Sequence, residues 1–165
     1  MDADAREVLG DRPRRSNTTC YNVAMDIHSS RAAEPVGPYP HAKRVGEFLF
    51  LSGVGPRRRG TNEIPGATID AAGRATSHDI AAECVACFEN IRTIIEDAGA
   101  SWSDIVDVTT YLTDMRGDFA TYNRVYAEWF AGPGKPNPTR TTVEVTALPT
   151  PIAIELKVVL WLGAR

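Results

Sequence analysis

The chain has 165 residues, 43% of them hydrophobic, which suffices for one core and is too little for two comfortable domains. Its formal net charge of -3 offers no basic face for nucleic acid, and no apolar run approaches the roughly 18 residues that span a bilayer. The first thirty residues lack the apolar core of a signal peptide, so the expected compartment is the cytoplasm, with no membrane partner.

Residues 1–30 are rich in Arg, Asp, Ser, Asn and Thr without a sustained period, and read as a flexible N-terminal extension. A single domain is expected over 31–165. Its first strand is Val45–Ser52, aromatic and apolar and ended by Gly53. Glycine and proline breaks then make Pro56–Gly73 a loop or hairpin region, which opens with the basic triplet Arg57-Arg58-Arg59.

A helix follows, with Thr76 as its predicted cap and Asp79 in the capping-box position. Ile80, Cys84, Cys87, Phe88, Ile91, Ile94 and Ile95 repeat at helical spacing, and Gly99 closes the segment. Cys84 and Cys87 form a C-x-x-C inside that stripe and read as core packing; with Cys20 they make an odd count and no metal pattern. Ile105–Leu112 is the next strand. A second helix from Asp118 aligns Phe119, Tyr122, Val125, Tyr126, Trp129 and Phe130, and Gly132–Pro138 breaks the chain. Two strands finish it, Thr139–Thr146 and Ile152–Leu162. The expected fold is α+β: one mixed sheet with two helices on one face, and an uncovered second face that calls for self-association.

Alternation places Ile154, Leu156, Val158 and Leu160 under the helices, and Glu155, Lys157, Val159 and Trp161 on the open face. On the preceding strand Arg140, Thr142, Glu144 and Thr146 share a side. An arginine, a threonine and a glutamate are thus expected to meet on the sheet surface away from the helices. Such groups need water, each other or a ligand, and an ordinary salt bridge or a wet sheet face meets that need as well as a site does.

At these residues the sequence resembles the Rid, or YjgF-type, reactive intermediate deaminase family. The likeness lies in Gly37-Pro38-Tyr39, a strand ending Ser52-Gly53, Asp118-Phe119-Ala120 with Asn123 and Phe130, and above all Arg140 to Pro149 followed by Ile154-Glu155-Leu156. It implies a chorismate-mutase-like fold in a homotrimeric barrel, with active sites in the clefts between subunits. It further implies that Arg140 grips a substrate carboxylate and Glu155 holds and activates water, with Tyr39, Ser52, Gly53, Asn123 and Thr142 around them. Tyr39 and Asn123 also suit packing or turn roles. The sequence departs from the common pattern at Thr142, where cysteine is frequent, and at Thr139, where alanine is. Arg31 to His41, the arginine triplet, Ile64-Pro65-Gly66 and Thr139 to Val143 are similar to the 2-aminomuconate deaminase branch.

That branch implies hydrolysis of 2-aminomuconate to 4-oxalocrotonate and ammonia in aromatic (aminophenol- or kynurenine-derived) catabolism. The alternatives are a broad 2-iminopropanoate/2-iminobutanoate deaminase and a non-catalytic metabolite-binding trimer. Glu155 would act as general base and then acid, with Arg140 opposing any rise in its pKa. A substrate with two carboxylates needs a second cation, for which Arg57, Arg58 and Arg59 are candidates and His41 a weaker one. No cofactor is expected and no metal, since His28, His41 and His78 lack ligand partners at useful spacing.

Overall fold

A computed structural model describes residues 24–163, so residues 1–23 of the expected extension, Cys20 among them, lie outside the described residues. The strands are β1 (Met25–Ile27), β2 (Ala42–Val45), β3 (Phe48–Leu51), β4 (Ala67–Ile69), β5 (Ala75–His78), β6 (Ile105–Leu112), β7 (Thr139–Glu144) and β8 (Ile154–Trp161). The helices are α1 (Ile80–Asp97) and α2 (Met115–Phe130). Six strands form one sheet in the order β1-β2-β3-β8-β6-β7, while β4 and β5 pair apart from it as a hairpin. Only β6 and β7, joined through α2, run parallel; the other pairs are antiparallel. The sheet is therefore mixed, with both helices on one face.

Burial follows the alternation of β8. Ile154, Leu156, Val158 and Leu160 are buried against Cys84, Phe88, Ile91 and Ile95 of α1 and Tyr122, Val125 and Phe130 of α2. Phe88 stacks edge-on against Tyr126, Trp129 and Phe130, and truncating so enclosed a ring costs about 3–5 kcal/mol. The opposite face stays apolar and open: Phe48, Phe50 and Trp161 are 44%, 39% and 38% exposed.

Boundaries moved where local turn chemistry outweighed the apolar pattern. The expected strand Val45–Ser52 is the turn and second arm of a hairpin, because Gly46 adopts φ 59° and reverses the chain between β2 and β3. Thr76 does not cap α1 but belongs to β5, where its branched side chain suits an extended backbone. The cap is Asp79, which accepts from the Ala81 and Ala82 N–H groups and adjoins the first stripe residue, Ile80. The second helix starts at Met115 under an Asp114 cap, not at Asp118. Its first turn contains Gly117 and no apolar stripe, so no period announces it. β7 and β8 end within the expected spans.

Part of the expected extension is structured. Met25–Ile27 pairs with β2, the Ser29 hydroxyl donates to Asp97 at 2.6 Å, and Arg31 bonds Asp97 and Glu96. A three-residue edge strand is too short to show a period. Among the described residues no helix is long and apolar enough to cross a membrane.

Candidate active site

The polar groups fall into two clusters on opposite faces of the sheet. The first surrounds Glu155, which alternation sends to the open face of β8, level with Tyr111 of β6. Val54 and Leu156 exchange backbone hydrogen bonds of 2.9 and 3.0 Å and so bring Gly53 against the Glu155 side chain. A Cβ at residue 53 would stand 2.8 Å from the Glu155 carboxyl carbon, closer than real contacts allow. Any larger residue there would displace the Glu155 carboxyl from its present position.

Glu155 looks into an open recess whose walls include Tyr39, His41, Ser52, Gly53 and Arg57. Burial pushes its carboxyl above the ordinary 4.5, and among the described residues no cation counters the shift. The wall residues are held in place by the backbone. The Ser52 hydroxyl donates to the Pro40 carbonyl at 2.6 Å. His41 accepts the Ser29 N–H at Nδ1, so its Nε2 carries the proton and faces the Ala33 carbonyl. His41 is thus engaged on both nitrogens and supplies no free cation.

The three arginines separate. Arg58 pairs with Glu63 and Arg59 with Glu34, both at the exposed surface. Arg57 alone reaches the recess, steadied by a 2.6 Å bond to the Glu34 carbonyl. Sequence reasoning missed the residue that fixes this loop: Asn90 of α1 donates to the Gly55 and Arg57 carbonyls at 2.8 and 2.9 Å. A polar residue one position from the apolar stripe of α1 was the available signal. Pro149, Thr150 and Ile152 also line the wall and were equally missed, as residues without charge.

The second cluster surrounds Arg140, and here the expected arrangement is corrected. Arg140, Thr142 and Glu144 register with Val108, Thr110 and Leu112, the buried face of β6, so they lie on the helix side of the sheet and not away from it. β7 is an edge strand, and beyond the rim of α2 its inner face still reaches solvent. The Arg140 guanidinium lies 4.5 Å over Tyr126 and 5.5 Å over Tyr122, and donates to the Asn123 side-chain oxygen at 2.9 Å. Thr142 sits beside the Tyr122 phenol, and Glu144 accepts the Met115 N–H at the start of α2. Among the described residues Arg140 has no carboxylate partner. It is an oriented fork with donors to spare, which suits a ligand carboxylate. The two tyrosine rings that set its plane read in the sequence as core.

Within one chain, then, Tyr39, Ser52, Gly53, Arg57 and Glu155 come together, and Asn123, Thr142 and Arg140 come together elsewhere. Among the described residues no group of three His, Cys, Asp or Glu side chains is placed to hold a metal ion.

These features define an α+β protein with a two-helix layer whose candidate site groups lie in two clusters on opposite faces of one mixed sheet. A family model described as Endoribonuclease L-PSP matches residues 29–161, and the chain belongs to that family, which includes the Rid, YjgF and RutC proteins. It is 39% identical over 133 residues to a RutC family protein of Pyrococcus abyssi, covering 81% of this chain and 93% of that one. TdcF of Escherichia coli K12, named as a candidate reactive intermediate deaminase, is 32% identical with 81% and 93% covered. Crystal structures of Escherichia coli TdcF with bound serine and of the Escherichia coli YjgF gene product superpose with TM-scores of 0.71 and 0.70. Their identities are 31% and 30%, and each match covers 83% of this chain and 98% of the other. The names of these relatives speak of no 2-aminomuconate activity.

Proposed function

We propose that this protein is a hydrolytic deaminase of a carboxylate-bearing imine or enamine, assembled as a homotrimer with its active sites between copies. The observation that carries the reading is the division of the site. A half-buried acid faces a recess in one part of the chain, and on the opposite face stands an arginine that has no carboxylate partner among the described residues. A neighbouring copy laid on the open apolar sheet would bury Phe48, Phe50 and Trp161, at roughly 25 cal/mol per Å² of apolar area. It would also bring an Arg140 to the mouth of a Glu155 recess. The family relation to a candidate reactive intermediate deaminase and to a serine-bound structure supports a small carboxylate ligand.

The chemistry follows from the groups. Arg140 pairs with the carboxylate beside the C=N bond and fixes that carbon over Glu155. Glu155 accepts a proton from water as the oxygen adds to the carbon and passes it to nitrogen, giving the neutral carbinolamine. It then takes the carbinolamine O–H proton and delivers it to nitrogen as the C–N bond breaks, so that ammonia leaves and the carbonyl forms. An enamine substrate first takes a proton at carbon to reach the imine. No cofactor is needed for this balance.

Within that reading we assign 2-aminomuconate as the substrate and 4-oxalocrotonate as the product. The support is Arg57, a second cation in the Glu155 recess suited to the far carboxylate of a dicarboxylate. The name of TdcF favours the alternative of a general 2-iminopropanoate hydrolase. Ammonia release from enzymatically generated 2-aminomuconate, set beside 2-iminopropanoate, decides between them: a preference for the monocarboxylate sinks the assignment, and release from neither sinks the deaminase reading. Light scattering that shows a monomer at micromolar concentration removes the shared site.

A further inference from the structure

The proposed mechanism makes no use of Glu83, a fully buried acid in the first turn of α1. One carboxylate oxygen accepts the Ala153 N–H at 2.8 Å, and the other meets Nδ1 of His78 at the end of β5. Ala153 immediately precedes β8, two residues before Glu155, and its own carbonyl accepts the Thr113 N–H at 3.1 Å. The segment leading to it, Pro149, Thr150 and Ile152, forms one wall of the Glu155 recess. Ala153 is thus held from two sides, its N–H by Glu83 of α1 and its carbonyl by Thr113 at the end of β6, while the same Glu83 carboxylate ties in the β4–β5 hairpin through His78.

We infer that Glu83 is a positioning residue for the reaction: by holding the Ala153 N–H it sets the entry of β8, and with it the place of the Glu155 carboxylate and the recess wall. The cost of burying an acid here argues against simple packing, since a threonine or leucine would fill the helix turn without it. Burial raises the Glu83 pKa, and the Ala153 N–H and His78 act against the rise. His78 bonds Glu83 and is close enough to Asp118 of α2 for its charge to favour that carboxylate as well. Glu83 touches no part of the recess itself, so its effect on chemistry passes through Ala153 and Glu155.

The inference rests on the deaminase reading. The test compares ammonia release by Glu83→Gln, Glu83→Ala and Glu83→Asp proteins of verified assembly. Glutamine keeps an acceptor for the Ala153 N–H and can donate to His78, whereas aspartate keeps the charge and falls short of Ala153. Glu83→Ala and Glu83→Asp are expected to lose about ten- to hundredfold in kcat with little change in KM, because the carboxylate-binding arginines stay in place while the acid shifts. Glu83→Gln is expected to recover most of the loss. Wild-type kcat in Glu83→Asp, or a Gln variant as poor as Ala, overturns the inference; Glu83→Asp carries the test if Ala fails to fold. If the wild type releases no ammonia from either imine, the deaminase reading fails by itself. Crystal structures of wild type and Glu83→Asp then test the coupling, and an unmoved Glu155 carboxylate overturns it.

Discussion

Glu155 and Arg140 belong to the same sheet yet point to opposite sides of it. They are two strands apart and three residues out of register: Glu155 is level with Tyr111 and Val143, Arg140 with Val108 and Val158. Strand spacing and rise put their Cα atoms roughly 14 Å apart. No side-chain rotation closes that gap through a packed layer, so a site using both must draw them from different copies.

Subunit mixing tests this directly. Glu155→Gln and Arg140→Ala proteins should each lose most of their deaminase activity, about 10²- to 10⁴-fold for loss of the base. Unfolded together and reassembled at equal ratio, they should regain activity at about one site in four, because random assortment pairs an intact Glu155 with an intact Arg140 that often. Mixed trimers as inactive as their parents would show that both residues serve the same half-site.

The arginine triplet gives a substrate test. Arg57→Ala should raise KM for 2-aminomuconate by roughly ten- to hundredfold, since a charged hydrogen bond contributes about 1.5–3 kcal/mol, and leave kcat nearly unchanged. Arg58→Ala and Arg59→Ala should have little effect, because those side chains pair with Glu63 and Glu34 at the surface. Steady-state kinetics on 2-aminomuconate and 2-iminopropanoate check both points. Equal KM changes on the two substrates would remove the dicarboxylate assignment.

Glu155 also predicts two pH dependences. Its folded pKa is raised by burial, so the acid limb of kcat/KM should lie above 4.5 and vanish in Glu155→Gln. A limb below 4.5 would mean that a neighbour's arginine dominates in the assembly. For stability, a raised acid binds its proton more tightly folded than unfolded. Its charged form therefore costs stability, progressively as pH rises from 4.5 through the folded value and constantly above it. Glu155→Gln should accordingly melt higher than wild type at pH 7, with the advantage gone near pH 4, as calorimetry at the two pH values would show.

Cys84 and Cys87 should be chemically silent in the folded protein. Both are free and buried; the Cys84 thiol is pushed up to about 12, and that of Cys87 lies well above its usual range. A Cys20→Ser variant should react with a thiol reagent at pH 8 only after denaturation. Rapid native labelling of either residue would contradict the packing role read from the C-x-x-C.

The apolar periods by themselves determined the chain's two helices, the long strands β6 and β8, and the residues that fill the core between them. Ile80 to Ile95 and Ile154 to Leu160 could bury their apolar atoms in no other way. The same alternation put Glu155 on the open face, because a strand's period is local and one buried neighbour settles it. The side taken by Arg140 was not settled so. β7 carries no buried hydrophobe to declare its inner face, and only its parallel pairing with β6 turns Arg140 toward α2. Short elements were likewise silent: Met25–Ile27 and the Gly46 turn depend on partners far along the chain. Which arginine of the triplet enters the recess was decided by Asn90, thirty-three residues beyond Arg57, holding that loop by two carbonyls. Local pattern records which side of a residue is apolar; where two polar residues meet is a matter of long-range pairing, and that belongs to the tertiary structure.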